Sequence, residues 1–127
     1  MKLSDKIKDI LKYSNCTYHF RKGRYGEELL IMSNNGAAFM RILLNGFTSI
    51  ELEGLSVSEE FQRQGYGTLF VELFGLIGSL LRMKTLYLTA DKTNWVYDWY
   101  TRLGYKEKCD TERGLYEVWM FKKLNDD

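Results

Sequence analysis

The sequence contains no proline among its 127 residues. That argues against Pro-rich linkers and polyproline recognition segments, and no stretch reads as a hinge between domains. Histidine is almost missing too. His19 is the only one; it stands on a predicted strand among aromatic residues, where a structural or surface role fits better than catalysis. The two cysteines, Cys16 and Cys109, lie far apart, with no C-x-x-C spacing. This argues against a zinc site or a redox pair, so no metal is expected and both thiols should be free in a reducing compartment. Neither sign of charge dominates: 18 Lys and Arg face 17 Asp and Glu, spread along the chain. Broad attraction to nucleic acid or anionic lipid is therefore not expected. A long apolar run is also lacking. The most apolar stretch, Leu69 to Leu81, is interrupted by Glu72, Gly75, Gly78 and Ser79, too short and too polar to span a bilayer. The opening residues alternate charged and apolar side chains, unlike a signal peptide, and the expected location is the cytoplasm.

What is present suits one globular unit over residues 1–127. Hydrophobic residues make up 45% of the chain, enough to bury a core without disulfides or a structural metal. Residues 4–14 read as an amphipathic helix, with Ser4 able to cap it, Asp5 at its positive end and Ile7, Ile10 and Leu11 forming a stripe. Short strands follow at 17–21, 29–33, 38–44 and 49–57. Asn34-Asn35-Gly36 and Asn45-Gly46 are strong turn signals, so these strands should form an antiparallel meander. After Gly67 the apolar residues fall at helical spacing (Leu69, Leu73, Leu76, Leu80 and, in parallel, Phe70, Phe74, Ile77, Leu81). Such a helix should be buried on most of its circumference, as when it lies across a sheet. A strand at 85–90, a helix at 93–103 closed by Gly104, and a hairpin of strands 105–109 and 115–122 complete an α/β domain. The last strand, with Leu115, Tyr116, Val118, Trp119, Met120 and Phe121, is apolar enough to suggest a dimer interface, and monomer or homodimer is expected.

The chemistry points to the start of the long helix. Gln62-Arg63-Gln64-Gly65-Tyr66-Gly67-Thr68 joins a strand to that helix and contains no acidic side chain. A glycine-rich turn opening a helix leaves backbone N–H groups unpaired and facing one way, at the positive end of the helix dipole. Such a place suits a pyrophosphate. Gly65 and Gly67 allow close backbone approach, and Arg63 can add a charged contact. The dinucleotide fingerprint needs a third glycine, which Phe70 replaces here, and the phosphate loop of nucleotide hydrolases needs a G-K-[ST] ending that is absent.

Several motifs taken together resemble the GNAT (GCN5-related N-acetyltransferase) superfamily. Gln62, Gly65 and Gly67 match its [QR]-x-x-G-x-[GA] signature between a strand and a long helix. Leu55-Ser56-Val57 matches the strand end before it, Leu86 to Ala90 the strand after it, and Tyr100 to Tyr105 the Y-x-x-x-G-[FY] helix ending. The resemblance covers residues 49–122. It implies an α/β (α+β) fold with a mixed, mostly antiparallel central sheet flanked by helices, whose two parallel strands splay into a V that holds coenzyme A. It also implies transfer of an acetyl group from acetyl-CoA to an amine by direct attack. The acceptor would be a protein or a small molecule.

The site residues follow from the same resemblance. Leu55, Ser56 and Val57 would meet the cofactor arm through the main chain, and Gln62 to Thr68 (Gln62, Arg63, Gln64, Gly65, Tyr66, Gly67, Thr68) would cradle its phosphates. In many members an asparagine precedes the helix tyrosine by seven residues; Thr93 holds that place here and Asn94 follows it, so both are counted as contacts. Tyr100 occupies the position of the general acid, with Tyr97 one turn earlier as a fallback. Glu51 aligns with a catalytic glutamate of several members. Glu53 has the same strand parity and is the second candidate for general base. Gly54 could host a bulge that flips the parity beyond it. Trp95, Tyr97 and Trp99 read as core packing. The segment before residue 49 has one helix where the family often has two, and those helices usually shape the acceptor pocket. The alternative is therefore a catalytically inactive GNAT-like module that binds acyl-CoA or a protein.

Overall fold

The computed structural model describes residues 3–44, 46–112 and 116–124, with the side chains of 3, 4 and 109–112 left aside. The Ser4 cap, the Asn45 turn, the Cys109 thiol and the tip of the last hairpin lie outside the described residues. In chain order the elements are α1 (Leu3–Tyr13), β1 (Cys16–Gly23), β2 (Gly26–Ser33), β3 (Ala38–Leu43), β4 (Ser49–Val57), α2 (Tyr66–Leu80), β5 (Thr85–Asp91), α3 (Trp95–Arg102), β6 (Lys106–Glu112) and β7 (Glu117–Lys123). The strands form one sheet in the order β1-β2-β3-β4-β5-β7-β6. Only β4 and β5 run parallel; every other pair is antiparallel. The mixed, mostly antiparallel sheet expected from the sequence is thus present.

The first hairpin is longer than its apolar pattern suggests. Glu28 lies outside the strands read from the sequence and Arg21 at the end of one, yet they sit opposite each other in the ladder, with Arg21 Nε donating to Glu28 Oε2 at 3.1 Å. An opposite-charge cross-strand pair lets polar residues occupy a strand. The next turn behaves as expected: Gly36 takes φ +73° and its N–H donates to the Ser33 carbonyl at 2.9 Å. Gly104, at φ +99°, ends α3 as its left-handed cap.

All three helices pack on one face of the sheet. Residues Leu29, Ile31, Met40, Ile42, Ile50, Leu52, Leu86, Leu88, Val118 and Met120 point to that face and are buried. Helix α2 supplies Phe70, Leu73, Phe74 and Ile77 from its inner stripe, and α1 adds Ile7 and Leu11. Each such side chain contributes about 1.5–3 kcal/mol by leaving water, so the core needs no cross-link. Helix α3 joins the same face because its Trp99 lies against Gly67 of α2. The opposite face carries no helix among the described residues. Strand β7 lies between β5 and β7's hairpin partner β6, with Val118 and Met120 in the core. Those two residues are spent inside the domain, while Trp119 and Phe121 lie half-buried on the other face of the strand. No described helix is long and apolar enough to cross a membrane.

Two glycines on α2 make opposite demands. A Cβ on Gly78 would lie 2.6 Å from Leu86 Cδ2 and 3.4 Å from Ile50 Cδ1, so this glycine lets the helix sit close on β4 and β5. A Cβ on Gly75 meets only Leu86 Cδ1 at 3.9 Å, an ordinary contact. Gly78→Val should lower unfolding stability by roughly 1–3 kcal/mol through overpacking. Gly75→Ala should raise it by up to about 1 kcal/mol through helix propensity. Urea titrations of the two variants check the contrast; equal midpoints would refute it.

Candidate active site

The site is built on an irregularity in β4. Arg41 of β3 pairs with Gly54 and its neighbour Ile42 pairs with Leu52, which leaves Glu53 as an extra residue in the ladder. This is the bulge anticipated at Gly54, centred one residue earlier, and it flips the strand's parity. Ile50 and Leu52 face the helices before it, whereas Leu55 and Val57 pack against the core after it. A bulge also bends its strand and sharpens its twist. The parallel pairing of β4 with β5 runs from Ser49↔Thr85 to Leu52↔Leu88 and stops there. From Glu53 onward β4 remains paired with β3 alone, and from Thr89 onward β5 remains paired with β7 alone. The two parallel strands thus part in a V, and their facing backbone edges are open to an extended ligand acting as a third strand.

Above the opening the chain turns into α2. Gln62 anchors the turn by donating Nε2–H to the Val57 carbonyl at 3.2 Å, and Gln64 Nε2 reaches the Glu60 carbonyl at 3.4 Å. Arg63 takes φ +66° and Gly65 φ +88°, the left-handed region that glycine adopts without strain. Gly65 is the N-cap, so no side chain caps the helix. The N–H groups of the first turn, which includes Tyr66, Gly67 and Thr68, are left to a ligand or to water. Tyr66 points elsewhere: its hydroxyl accepts from Asn35 Nδ2 at 2.7 Å and its ring meets Phe61 edge-on. Asn35, read from sequence only as a turn residue, therefore fixes the start of α2 to the β2–β3 turn. Gly67 has a different role from Gly65. A Cβ there would touch Trp99 Cη2 at 3.4 Å, so its small size admits the indole to the first turn.

Helix α3 brings the aromatic residues. It starts at Trp95, two residues later than the sequence suggests, because Thr93 is held by Asp91. The Thr93 N–H and Oγ1–H both donate to Asp91 Oδ1, at 2.8 and 2.6 Å, and this holds the Asp91 carboxyl below its usual range. Asn94 is the N-cap, with Oδ1 accepting from the Val96 N–H at 3.3 Å. The side-chain oxygens of Thr93 and Asn94 are thus engaged within the loop. Tyr100 is buried on the helical face, its ring 5.1 Å from Trp99 and 5.9 Å from Tyr105, and burial pushes its phenol up. Tyr97 is anchored away from it. Its hydroxyl donates to Glu107 Oε1 at 3.1 Å, and Lys92 meets the same oxygen at 3.0 Å. Burial and then Glu107 raise the Tyr97 phenol, while the bonds from Lys92 and Tyr97 lower the Glu107 carboxyl. Trp95 departs from the sequence reading. It is 69% exposed rather than part of the core, because helical spacing cannot tell an inward indole from one at the helix rim.

The two glutamates stand on the other side of the sheet. Glu51 flanks the buried Ile50 and Leu52 and faces away from the helices, opposite Tyr87. Glu53 shares that face and accepts from Arg41 Nη2 at 3.2 Å. Glu53 sits where the strands part; Glu51 lies one step back, within the paired segment. Tyr100 and the glutamates therefore occupy opposite faces, and the V between β4 and β5 is the opening that joins them. Ser56 is exposed on the glutamate face. A groove of about 420 Å³ between α2 and the end of β7 is lined by Thr68, Gly75, Leu76, Leu103 and Tyr105 among others. It contains neither glutamate nor Tyr100, so it does not locate the chemistry. Among the described residues, no group of three or more His, Cys, Asp or Glu is placed to hold a metal.

This architecture is the GNAT acetyltransferase fold. A GNAT family acetyltransferase from Elizabethkingia anophelis, solved with acetyl-CoA bound, superposes with a TM-score of 0.68 at 16% identity, over 87% of this chain and 99% of that one. Nourseothricin acetyltransferase gives 0.63 at 14% identity over 87% and 85%. The PaiA N-acetyltransferase of Thermoplasma acidophilum, in complex with coenzyme A, gives 0.64 at 19% identity over 76% and 60%. No family model matches the sequence, and no curated protein matches it.

The packing of Trp99 on Gly67 can be read directly. Gly67→Leu should displace the indole and weaken the near-ultraviolet circular dichroism of the aromatic cluster, with the far-ultraviolet spectrum retained. An unchanged near-ultraviolet spectrum would show that Trp99 does not depend on this glycine.

Proposed function

We propose that the protein is an N-acetyltransferase that joins acetyl-CoA and an amine acceptor in a ternary complex. The observation that carries this reading is the placement of Tyr100 and the glutamates on opposite faces of the sheet, connected by the V beside an uncapped helix start. The residues present fit the cofactor. Open strand edges beyond Leu52 and Leu88 suit its extended arm, with Leu55 and Val57 offering main-chain contacts. The first turn of α2, with Arg63 beside it, suits its pyrophosphate. When bound, acetyl-CoA supplies the activated acetyl group.

The chain's own residues handle the protons. An alkyl amine with a pKa near ~10.4 is only about 0.04% neutral at pH 7, a handicap of roughly 4–5 kcal/mol. Glu51 and Glu53 stand on the bare face as acceptors for that proton, and Glu53 is the one at the opening. Tyr100 approaches from the helical side as the proton donor to the leaving sulfur. Burial raises its phenol pKa and keeps the proton in place across the neutral range, so activity should lose this group only above the ordinary phenol range. Tyr97 is a poorer donor, since its proton is already committed to Glu107.

The bare face also bears on the acceptor. Strands β1 and β2 are joined by a two-residue turn between Gly23 and Gly26, with no helix inserted to roof the glutamates. An open platform suits a large acceptor, such as a protein side chain or N-terminus, better than a small molecule. A cytoplasmic location fits this use. The second reading, a non-catalytic acyl-CoA-binding or interaction module, is favoured by the same missing roof and by Asn94 serving as a helix cap.

Incubation with acetyl-CoA and a panel of proteins and small amines, read by mass spectrometry, separates the two. Transfer of one acetyl group is expected; tight acetyl-CoA binding with no transfer to any acceptor would favour the second reading. Tyr100→Phe should lower turnover by about 10²–10⁴-fold with little change in coenzyme A affinity. Turnover within about threefold of the unaltered protein would remove Tyr100 from the acid role. Glu53→Gln and Glu51→Gln, assayed across pH, should show which variant loses the acidic limb of the rate profile.

A further inference from the structure

Trp95 has no structural duty that explains its exposure. It is 69% exposed, on the first turn of α3, and among the described residues its ring contact is with Trp99 at 5.9 Å and 51°. Trp99 in turn lies on Gly67 in the first turn of α2. The two indoles form a step that leads from the α2 start outward into solvent. They sit four residues apart on one side of α3, and Arg102, three residues beyond Trp99, continues that side and is exposed. Helix α2 follows β4 and α3 follows β5, the two strands that run parallel. Trp95, one turn nearer the α3 start than Trp99, extends the indole step that begins at the α2 start with Trp99.

We infer that Trp95 is the stacking platform for the adenine of coenzyme A, with Trp99 as its support. This rests on the proposed use of acetyl-CoA. In that molecule a single ribose separates the pyrophosphate from the base, so a base leaving the α2 cradle on its α3 side meets this indole step. An exposed indole offers a broad π-face to a purine, and such stacking does not require hydrogen-bond partners. A solvent-facing aromatic step suits a flat heteroaromatic ring better than an aliphatic side chain.

The test compares ligands with and without the adenosine. Dissociation constants for coenzyme A and for 4′-phosphopantetheine, which lacks adenosine, are measured by calorimetry on the unaltered chain, Trp95→Ala and Trp95→Phe. Trp95→Ala should weaken coenzyme A about tenfold or more, leave 4′-phosphopantetheine unchanged, and be largely rescued in Trp95→Phe. Coenzyme A should also quench indole fluorescence in the unaltered chain more than 4′-phosphopantetheine does. Equal coenzyme A affinity in the unaltered chain and Trp95→Ala would overturn the assignment while leaving the cofactor reading intact. Equal loss for both ligands would also overturn it, since Trp95 would then be acting through the fold. No binding of coenzyme A by the unaltered chain would overturn the cofactor reading together with this one.

Discussion

The parting of β4 from β5 after Leu52 and Leu88 is the constraint on which the rest of this structure depends. A parallel pair inside a sheet normally continues until one strand ends, yet here both strands continue and the pairing does not. The cause lies on the other side of β4. Pairing with β3 absorbs Glu53 as an extra residue, which bends β4 locally and sends Leu55 and Val57 to the face that Leu52 had occupied. Without the bulge, Leu55 and Val57 would point to the bare face while Ser56 and Gly54 faced the core. The apolar pattern of β4 is thus consistent only with a bulged strand, and a bulged strand at this position opens the sheet.

The opening acquires chemical meaning from the one-sided packing. Helices α1, α2 and α3 all cover the face carrying Tyr100, and the glutamates stand on the face they leave bare. A continuous sheet would keep these groups apart, because hydrogen-bonded strands only about 4.8 Å apart leave no passage. In the proposed function, parting the strands lets a donor on one face and an acceptor on the other address a single extended ligand. The ion pair of Arg41 with Glu53 has a place in this arrangement as well. It ties the bulged residue to β3, so the carboxylate is held at the rim rather than turned into the gap.

Much of this was legible in the sequence where the signal is local. The strand and helix order, the Asn34-Asn35-Gly36 turn, the left-handed Gly104 and the bulge near Gly54 all follow from residue types at short spacing. What stayed hidden depends on partners distant in the chain. Glu28 looks like a loop residue until it is seen to pair with Arg21 across two strands. Tyr97 looks equivalent to Tyr100 until Glu107, on β6, takes its proton-bearing oxygen. Asn35 gives no hint of Tyr66, 31 residues away. The place of the apolar last strand was hidden too, because strand order is not written in composition and β7 lies between β5 and β6. Among the candidate site residues, Gly65 was identifiable because its left-handed backbone needs glycine, whereas the reason for Gly67, its contact with Trp99, was not. Nor was the functional weight of the aromatics, because an indole reads the same whether it is buried or exposed.

The starts of α2 and α3 show how stability and ligand access are traded within one domain. Helix α3 has 8 residues and a single fully buried side chain, Tyr100, and its start is closed by Asn94. A cap of this kind is worth about 0.5–2 kcal/mol relative to alanine, a large share for so short a helix. Helix α2 has 15 residues, six of them buried, and starts at a glycine with no side chain to offer. Its packing against β4 and β5 exceeds any single cap by several-fold, so the missing bond at its start is tolerable. A serine or aspartate at Gly65 would have to adopt φ +88°. It would also place an oxygen, or a full negative charge, among the N–H groups where an anion would otherwise bind. The helix that can stand uncapped is the one left open, and it is the one that borders the gap between β4 and β5.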